Sequence, residues 1–511
     1  MPRLDRRFQG VLWLLCMWII LRNAWLAEDA FITYRVVDNF VHGLGLRWNP
    51  LERVQVFTHP LWMLSLIPVY AVSRDIVFSG LALGVACSAV AMALLLREMR
   101  TPAQALLATA AIISSKALMD FSTGGLENPL SHLVLILFFI QYLRPSTPRR
   151  FAWMVLWMGL AAITRMDLVL FCVPAILHTV KVEGYWRLRH ARLWLGLLPF
   201  VAWSVFAFFY YGFVFPSSAY AKLGTFVHWE QLVAQGGCYL SNSLSWDPVT
   251  LFVIASLTGL GLASFRRDRR WTVLCLGVLL YLGYVVRVGG DYMTGRMLTA
   301  PLVVSLVGLS RFEPRGLTEL LTGLAITLLL GFCSPRPPVL SGDDYKGLGR
   351  SQMSVDDERG YRYPDTGLLR QNRHFALGDA GGWIGDGQKA RRDHVRVITY
   401  HNIGFFGFYA GPTVHIIDPY GLGDALTGRL PYRNDSGGWD PGHFERKVPD
   451  GYPNAAIDNG TIPDPAVAAY WEKLKLVTRG PIFDHARLAM VLRFALGREP
   501  PPTAPVGPPE R

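Results

Sequence analysis

The chain has 511 residues, of which 51% are apolar and only 17% charged, and its mean hydropathy is positive. That balance excludes an ordinary soluble multi-domain protein of this length and points to the membrane. The net charge of +12 raises nucleic acid as a partner. However, the Lys and Arg of the first two thirds sit in short loops between apolar blocks, where topology accounts for them, so no nucleic acid is expected.

In chain order, apolar blocks predict eleven spans, at about 9–27, 76–96, 102–118, 129–143, 151–164, 168–181, 193–214, 248–265, 271–287, 297–310 and 316–334. Arg3, Arg6 and Arg7 precede the first, and no small-x-small cleavage site follows it, so it is expected to stay as an uncleaved span. Residues 60–74, about 14 apolar positions with Pro68 among them, are too short for a span and suit an interfacial or re-entrant helix. The six cysteines are scattered with no CxxC pair, which indicates packing rather than disulfides or zinc.

Loop charge sets the orientation. With 60–74 kept out of the span count, the N-terminus and the loops on its side hold about 18 Lys and Arg, against about 7 in the opposite short loops. The N-terminus is therefore expected in the cytoplasm. The loops at 28–75, 119–128, 164–167, 214–247 and 288–296 then share the external face with the tail, and Glu28, Asp29, Asp120, Glu127, Asp167 and Asp291 lie on that face. Residues 335–500 are rich in Gly, Pro, Asp and Arg and lack a spanning block. Runs at 395–411 and 414–424 and a helix near 464–476 predict a small mixed α/β domain there, and 501–511 reads as a disordered end. The expected fold is an all-α polytopic membrane domain over 1–334, with 28–75 as its first external loop, followed by an extracytoplasmic α/β domain over 335–500.

Two adjacent carboxylates directly after the first span, Glu28 and Asp29, can serve as a base and its neighbour, or simply as a helix end in water. The external face is short of positive charge, so Arg165, Lys222 and Arg296 gain weight as ligands for an anionic group, with snorkelling to lipid head groups as the competing use. His59 can bind phosphate or a sugar, or cap the helix that Pro60 opens. Glu127, Asp167 and Asp291 can hold sugar hydroxyls or pair with Arg165 and Arg296. In the tail Asp418 and His443 stand open as acceptor contacts, while Asp424 reads as turn chemistry. No DxD or His/Asp cluster has metal-site spacing, so no metal ligand is assigned and a divalent ion is neither demanded nor ruled out as a cofactor.

The run EDAFITYRVVDNFVHGLGLRWNPLERVQVFTHPLW (28–62) resembles the first external loop of the GT-C glycosyltransferases, in the branch of the terminal β-(1→2)-arabinofuranosyltransferases and their bacterial relatives. There an acid pair opens a juxtamembrane helix, a G-x-G-L-x-W/F-N-P turn follows (Gly43 to Pro50 here), and a T-H/N-P-L-W segment (Thr58 to Trp62) opens a second such helix. Further matches follow in order: TGGLENPL (123–130), TRMD (164–167), FPSSAYAKLG (215–224), GGDYMTGRML (289–298), DPYGLGD (418–424) and Gly442-His443. The resemblance thus spans nearly the whole chain, though 335–395 matches little.

The resemblance implies a glycosyltransferase of the bacterial inner membrane. It would take a sugar, arabinofuranose as the first guess, from a polyprenyl-phosphate donor and pass it with inversion to a cell-envelope glycan or glycolipid. One carboxylate suffices as base for such a displacement; Asp29 takes that role by position and Glu28 is the weaker candidate. Membrane lipids are the remaining expected partner. A transporter or flippase of lipid-linked substrates would also carry intramembrane acids, but the acids lie on one face and no inverted repeat is visible. A non-catalytic envelope or motility relative is the other alternative, compatible with an intact Asp29.

Overall fold

The computed structural model describes residues 5–223, 225, 227–341, 354–370, 382–432 and 439–502. The expected disordered end at 501–511 falls almost wholly outside the described residues. The chain is mostly helical, and by contacts it divides into two compact units. One takes Met1–Ala27, Val77–Phe200 and His228–Gly378; the other takes Glu28–Ile76, Val201–Val227 and Asp379–Arg511.

In the first unit the apolar blocks become helices that start where the sequence supplies a cap. Thr101 forms a capping box with Gln104 before Pro102–Ser114, Thr147 caps Pro148–Thr164, and Asp268 caps Arg269–Arg287. Their buried faces join in one apolar core that includes Phe138, Phe139, Phe171, Trp271 and Leu302. Among the described residues three helical stretches are long and apolar enough to cross a bilayer unaided, namely Ile76–Glu98, His190–Tyr211 and Arg269–Arg287. Trp229–Trp246 and Pro248–Ala263, bent by 109° at their junction, make a fourth if taken as one broken span. Every block predicted from sequence contains a helix, and the remaining ones are shorter. The chain therefore has the make-up of a helical membrane protein.

The bend has a local cause. Asp247 leaves the helical conformation, accepts hydrogen bonds from the Ala117 N–H (2.7 Å) and the Thr250 hydroxyl (2.6 Å), and is followed by Pro248. Trp229–Trp246 itself lies where sequence patterning gave only an external loop. Gly236 lets it approach the neighbouring helix, since a Cβ there would run into the Val286 backbone. Residues 354–370 belong to this unit as well. Asp357 takes the Lys116 ammonium at 2.8 Å, and Arg359 donates to Asp120 at 3.1 Å, all four side chains being buried.

In the second unit, Ala30–Val41 and Pro60–Ser73 are the two helices of the 28–76 segment, the latter beginning at Pro60 and containing Pro68. Between them the backbone turns through left-handed conformations at Gly43 and Gly45, both with φ +82°. A Cβ on Gly45 would stand 2.8 Å from the Tyr210 hydroxyl, so this position demands glycine twice over. The turn is fixed by the Asn39 amide, which donates to the Arg47 and Trp48 carbonyls. The tail part contributes a two-stranded parallel sheet, Val397–Thr399 with His415–Ile417, and the helices Phe405–Ala410, Pro465–Arg479 and His485–Ala495. The apolar 395–411 run thus splits into a strand and a helix.

The 28–76 segment and the tail share one fabric. The Arg35 guanidinium is buried, lies 4.7 Å from the Trp48 ring centre, and donates to the carbonyls of Trp48 (2.9 Å), Gly407 (2.5 Å) and Val414 (2.9 Å). The Asn49 amide exchanges hydrogen bonds with the backbone of Ile416 in both directions, at 2.9 and 3.2 Å, which adds a side-chain rung beside the sheet. Phe31 packs on Phe405 with ring centres 4.6 Å apart.

Candidate active site

The ten site residues expected from sequence fall into two groups, one in each unit. In the first unit Glu127, Arg165, Asp167, Asp291 and Arg296 meet. Glu127 has no exposed surface, and its Oε1 accepts from Arg165 (2.8 Å) and Arg296 (3.3 Å). Arg165 also forms a two-pronged pair with Asp167, at 3.0 and 2.8 Å, and Arg296 reaches Asp291 at 3.4 Å. Three acids and two guanidinium groups thus largely satisfy one another, and the pairing use foreseen for them is what the geometry contains. Both arginines keep a partly exposed edge, 19% and 12% of the side chain, so each retains donor capacity for an anion.

In the second unit Glu28 and Asp29 have parted company. Glu28 is buried, and its Oε1 accepts the backbone N–H groups of Gly404 (2.7 Å) and Phe405 (3.1 Å) at the start of the Phe405–Ala410 helix. A Cβ on Gly404 would lie 2.7 Å from the Glu28 carboxyl, so that site needs glycine. Asp29 opens the Ala30–Val41 helix without capping it. Its carboxylate is half-buried and makes no hydrogen bond or ion pair among the described residues. Thr33 follows one turn later on the same face. Its hydroxyl lies 2.8 Å from Nε2 of His59, a buried side chain at the start of the Pro60–Ser73 helix.

Lys222 is exposed, at the end of the Ser217–Leu223 helix, and a Cβ on Gly442 would come within 3.0 Å of its Nζ. Asp418 is fully buried and accepts the N–H groups of Tyr420 (2.9 Å), Leu422 (2.6 Å) and Gly423 (2.9 Å). Its carboxyl shapes the DPYGLGD turn from within, and burial pushes it up to about 6 against those three donors. The His443 ring meets the Tyr420 ring edge-on at 5.0 Å.

One grouping was not legible in the sequence. Glu52, His415 and Asp424, all buried, bring ligand atoms within 4.8 Å of one another. Burial pushes the Glu52 carboxyl up to about 8, with Asp424 adding to the rise and Arg479 opposing it. Burial also holds the His415 imidazole down at about 3, helped by Arg479 and Arg35. Asp424, read from sequence as turn chemistry, does hold its turn, accepting the N–H of Leu426 and of Thr427.

Apolar helices and a first loop bound into the tail are the make-up of a helical membrane protein. No family model matches the chain. It is 27% identical over 510 aligned residues to the terminal β-(1→2)-arabinofuranosyltransferase of Mycobacterium tuberculosis, with 80% of this chain and 79% of that protein covered. It is 26% identical over 337 residues to the protein of the same name in Corynebacterium glutamicum, over 57% of this chain and about half, 48%, of that protein. The chain is thus similar to two proteins named terminal β-(1→2)-arabinofuranosyltransferase, the group its motifs resemble.

Proposed function

We propose that the protein is a membrane glycosyltransferase that moves a sugar, arabinofuranose in the first instance, from a polyprenyl-phosphate donor to a hydroxyl of a cell-envelope glycan or glycolipid. The names of the two relatives support the reaction class and the sugar. The observation that carries the catalytic assignment is the state of Asp29: a half-buried carboxylate with no partner among the described residues, beside a Glu28 whose carboxylate is spent on backbone amides. A base must be free to accept a proton, and a carboxylate already holding a helix start is a poor one.

In this reading Asp29 takes the proton of the acceptor hydroxyl while its oxygen attacks the anomeric carbon. The bond from that carbon to the phosphate oxygen breaks, polyprenyl phosphate leaves, and the configuration inverts. Negative charge grows on the leaving oxygen, so cations of the loops expected outside are proposed to meet it: Lys222 or His59 of the unit that holds Asp29, or the exposed edges of Arg165 and Arg296 of the other. Glu127, Asp167 and Asp291 then act mainly by fixing those arginines, and Glu28 and Asp418 by fixing the walls.

Asp29→Asn keeps the size of the side chain and removes its basicity. Transfer to acceptor is expected to fall by 10²–10⁴-fold with thermal stability unchanged. Activity above about a hundredth of wild type would assign the base to another group. The reading also sets the N-terminus in the cytoplasm and the tail from residue 335 outside, across a bacterial inner membrane. In a cysteine-free background, an impermeant maleimide applied from outside is expected to label Asn454→Cys and spare Arg269→Cys, both positions being exposed. The reverse pattern would invert the topology.

A further inference from the structure

The Glu52 carboxylate has no exposed surface and, among the described residues, accepts no hydrogen bond of good geometry, the Asn49 side chain and Arg479 only approaching it. The His415 ring is 3% exposed, and neither of its nitrogens has a partner among the described residues. Four such atoms buried together are costly unless something else engages them. Glu52 and His415 offer, with Asp424, three ligand atoms within 4.8 Å of one another. Asp424 Oδ1 is crowded by the N–H of Leu426, the N–H and hydroxyl of Thr427, and the Tyr452 hydroxyl. Oδ2 takes only the Tyr452 hydroxyl, at 2.9 Å, and so keeps a lone pair to offer.

We propose that Glu52, His415 and Asp424 form a buried binding site for one divalent first-row metal ion, of the Zn²⁺ or Mn²⁺ class, which clamps the first-loop segment to the tail segment. The donor set decides the class: one imidazole with two carboxylates suits a first-row ion, whereas Ca²⁺ and Mg²⁺ favour all-oxygen sets. Metal–ligand bonds of about 2.1 Å ask the donor atoms to close to roughly 3.4 Å, a movement within reach of the Glu52 side chain. Arg479 is no substitute for the ion. Its Nη2 stands 3.8 Å from Glu52, beyond hydrogen-bond reach, and donates instead to the Ala456 carbonyl at 2.6 Å.

Asp29 is not among the three ligands, and the test does not depend on transfer activity. The full-length protein in detergent is stripped with a chelator, dialysed against Zn²⁺, Mn²⁺ or Ca²⁺ singly, and its bound metal and melting temperature are measured. One equivalent of Zn²⁺ or Mn²⁺ and a raised melting temperature are expected for wild type and for Asp29→Asn, and loss of that equivalent for Glu52→Gln and His415→Gln. Co²⁺ loaded into His415→Cys is expected to show a thiolate-to-cobalt absorption band that wild type lacks, a readout that survives poor folding of the other variants. Less than a tenth of an equivalent in wild type, binding of Ca²⁺ alone, a full equivalent retained in both Glu52→Gln and His415→Gln, or no thiolate band would each overturn the proposal. Loss of the metal in Asp29→Asn would overturn it too, by moving the ion to the acid pair.

Discussion

Glu127 and Glu52 are both glutamates without exposed surface, yet one oxygen of the first receives two guanidinium groups while the second, among the described residues, has one guanidinium no nearer than 3.8 Å. The surroundings of Glu127 are those of a structural charge: in the first unit each acid of the group has an arginine, and each arginine of the group holds two acids. The second unit treats its acids individually. Glu28 and Asp418 are saturated by backbone amides, Asp29 is left open at a helix start, and Glu52 is sealed in with Arg479 no nearer than 3.8 Å. A buried charge that the fold has neutralised explains itself, whereas one the fold has isolated asks for a substrate, a proton or an ion.

That contrast can be broken by mutation. The largest effect on stability is expected at the paired acid. Glu127→Ala leaves two partly buried guanidinium groups facing each other and should cost about 3–5 kcal/mol, read as a fall in the detergent melting curve. If the loss is below about 1 kcal/mol, the cluster is wetter than its geometry implies. Next come the cations. Lys222→Ala, at an exposed position, should weaken binding of a polyprenyl-phosphate sugar and slow turnover at saturating acceptor, with an unchanged melting curve. Arg296→Ala should do the same and also destabilise, because it strips Glu127 of one partner. Normal donor kinetics in both would return these side chains to lipid head groups or ion pairing and move the phosphate site to His59 or to backbone amides. The smallest effect is expected for Glu28→Gln. The amide oxygen still accepts from Gly404 and Phe405, so only the charge assistance is lost, about 1 kcal/mol, and transfer should drop less than tenfold. A loss as large as that of Asp29→Asn would mean that the pair acts jointly.

Much of this was legible in the sequence. Each apolar block became a helix because long apolar runs bounded by Pro, Thr or Asp have few alternatives, and the short block at 60–74 became the helix Pro60–Ser73. Motif order found the relatives. The pairing of Glu127 with Arg165 and Arg296 was foreseeable as one of two uses, since opposite charges on one face of a membrane protein seek each other. The helix Trp229–Trp246 was missed because its polar residues, Gln231, Gln235 and Ser245 among them, mask its apolar face from a hydropathy reading. The Glu52 group was missed for a stronger reason. Its members come from opposite ends of the chain with no local spacing to betray them, and its signature is an absence of partners, which exists only after folding.

The way the second unit is stitched from distant segments also sets a timetable for its birth. The Glu28 carboxylate and the amides it holds are 376 residues apart in the chain. At common synthesis rates of about 5–20 residues per second, the first loop emerges roughly 20 to 75 s before its docking partner exists. Through that interval Arg35, Asn49 and Phe31 have none of their tail contacts. A ribosome stalled before residue 404 would leave that loop exposed to proteases and chaperones, and release of the final segment is the step that closes it.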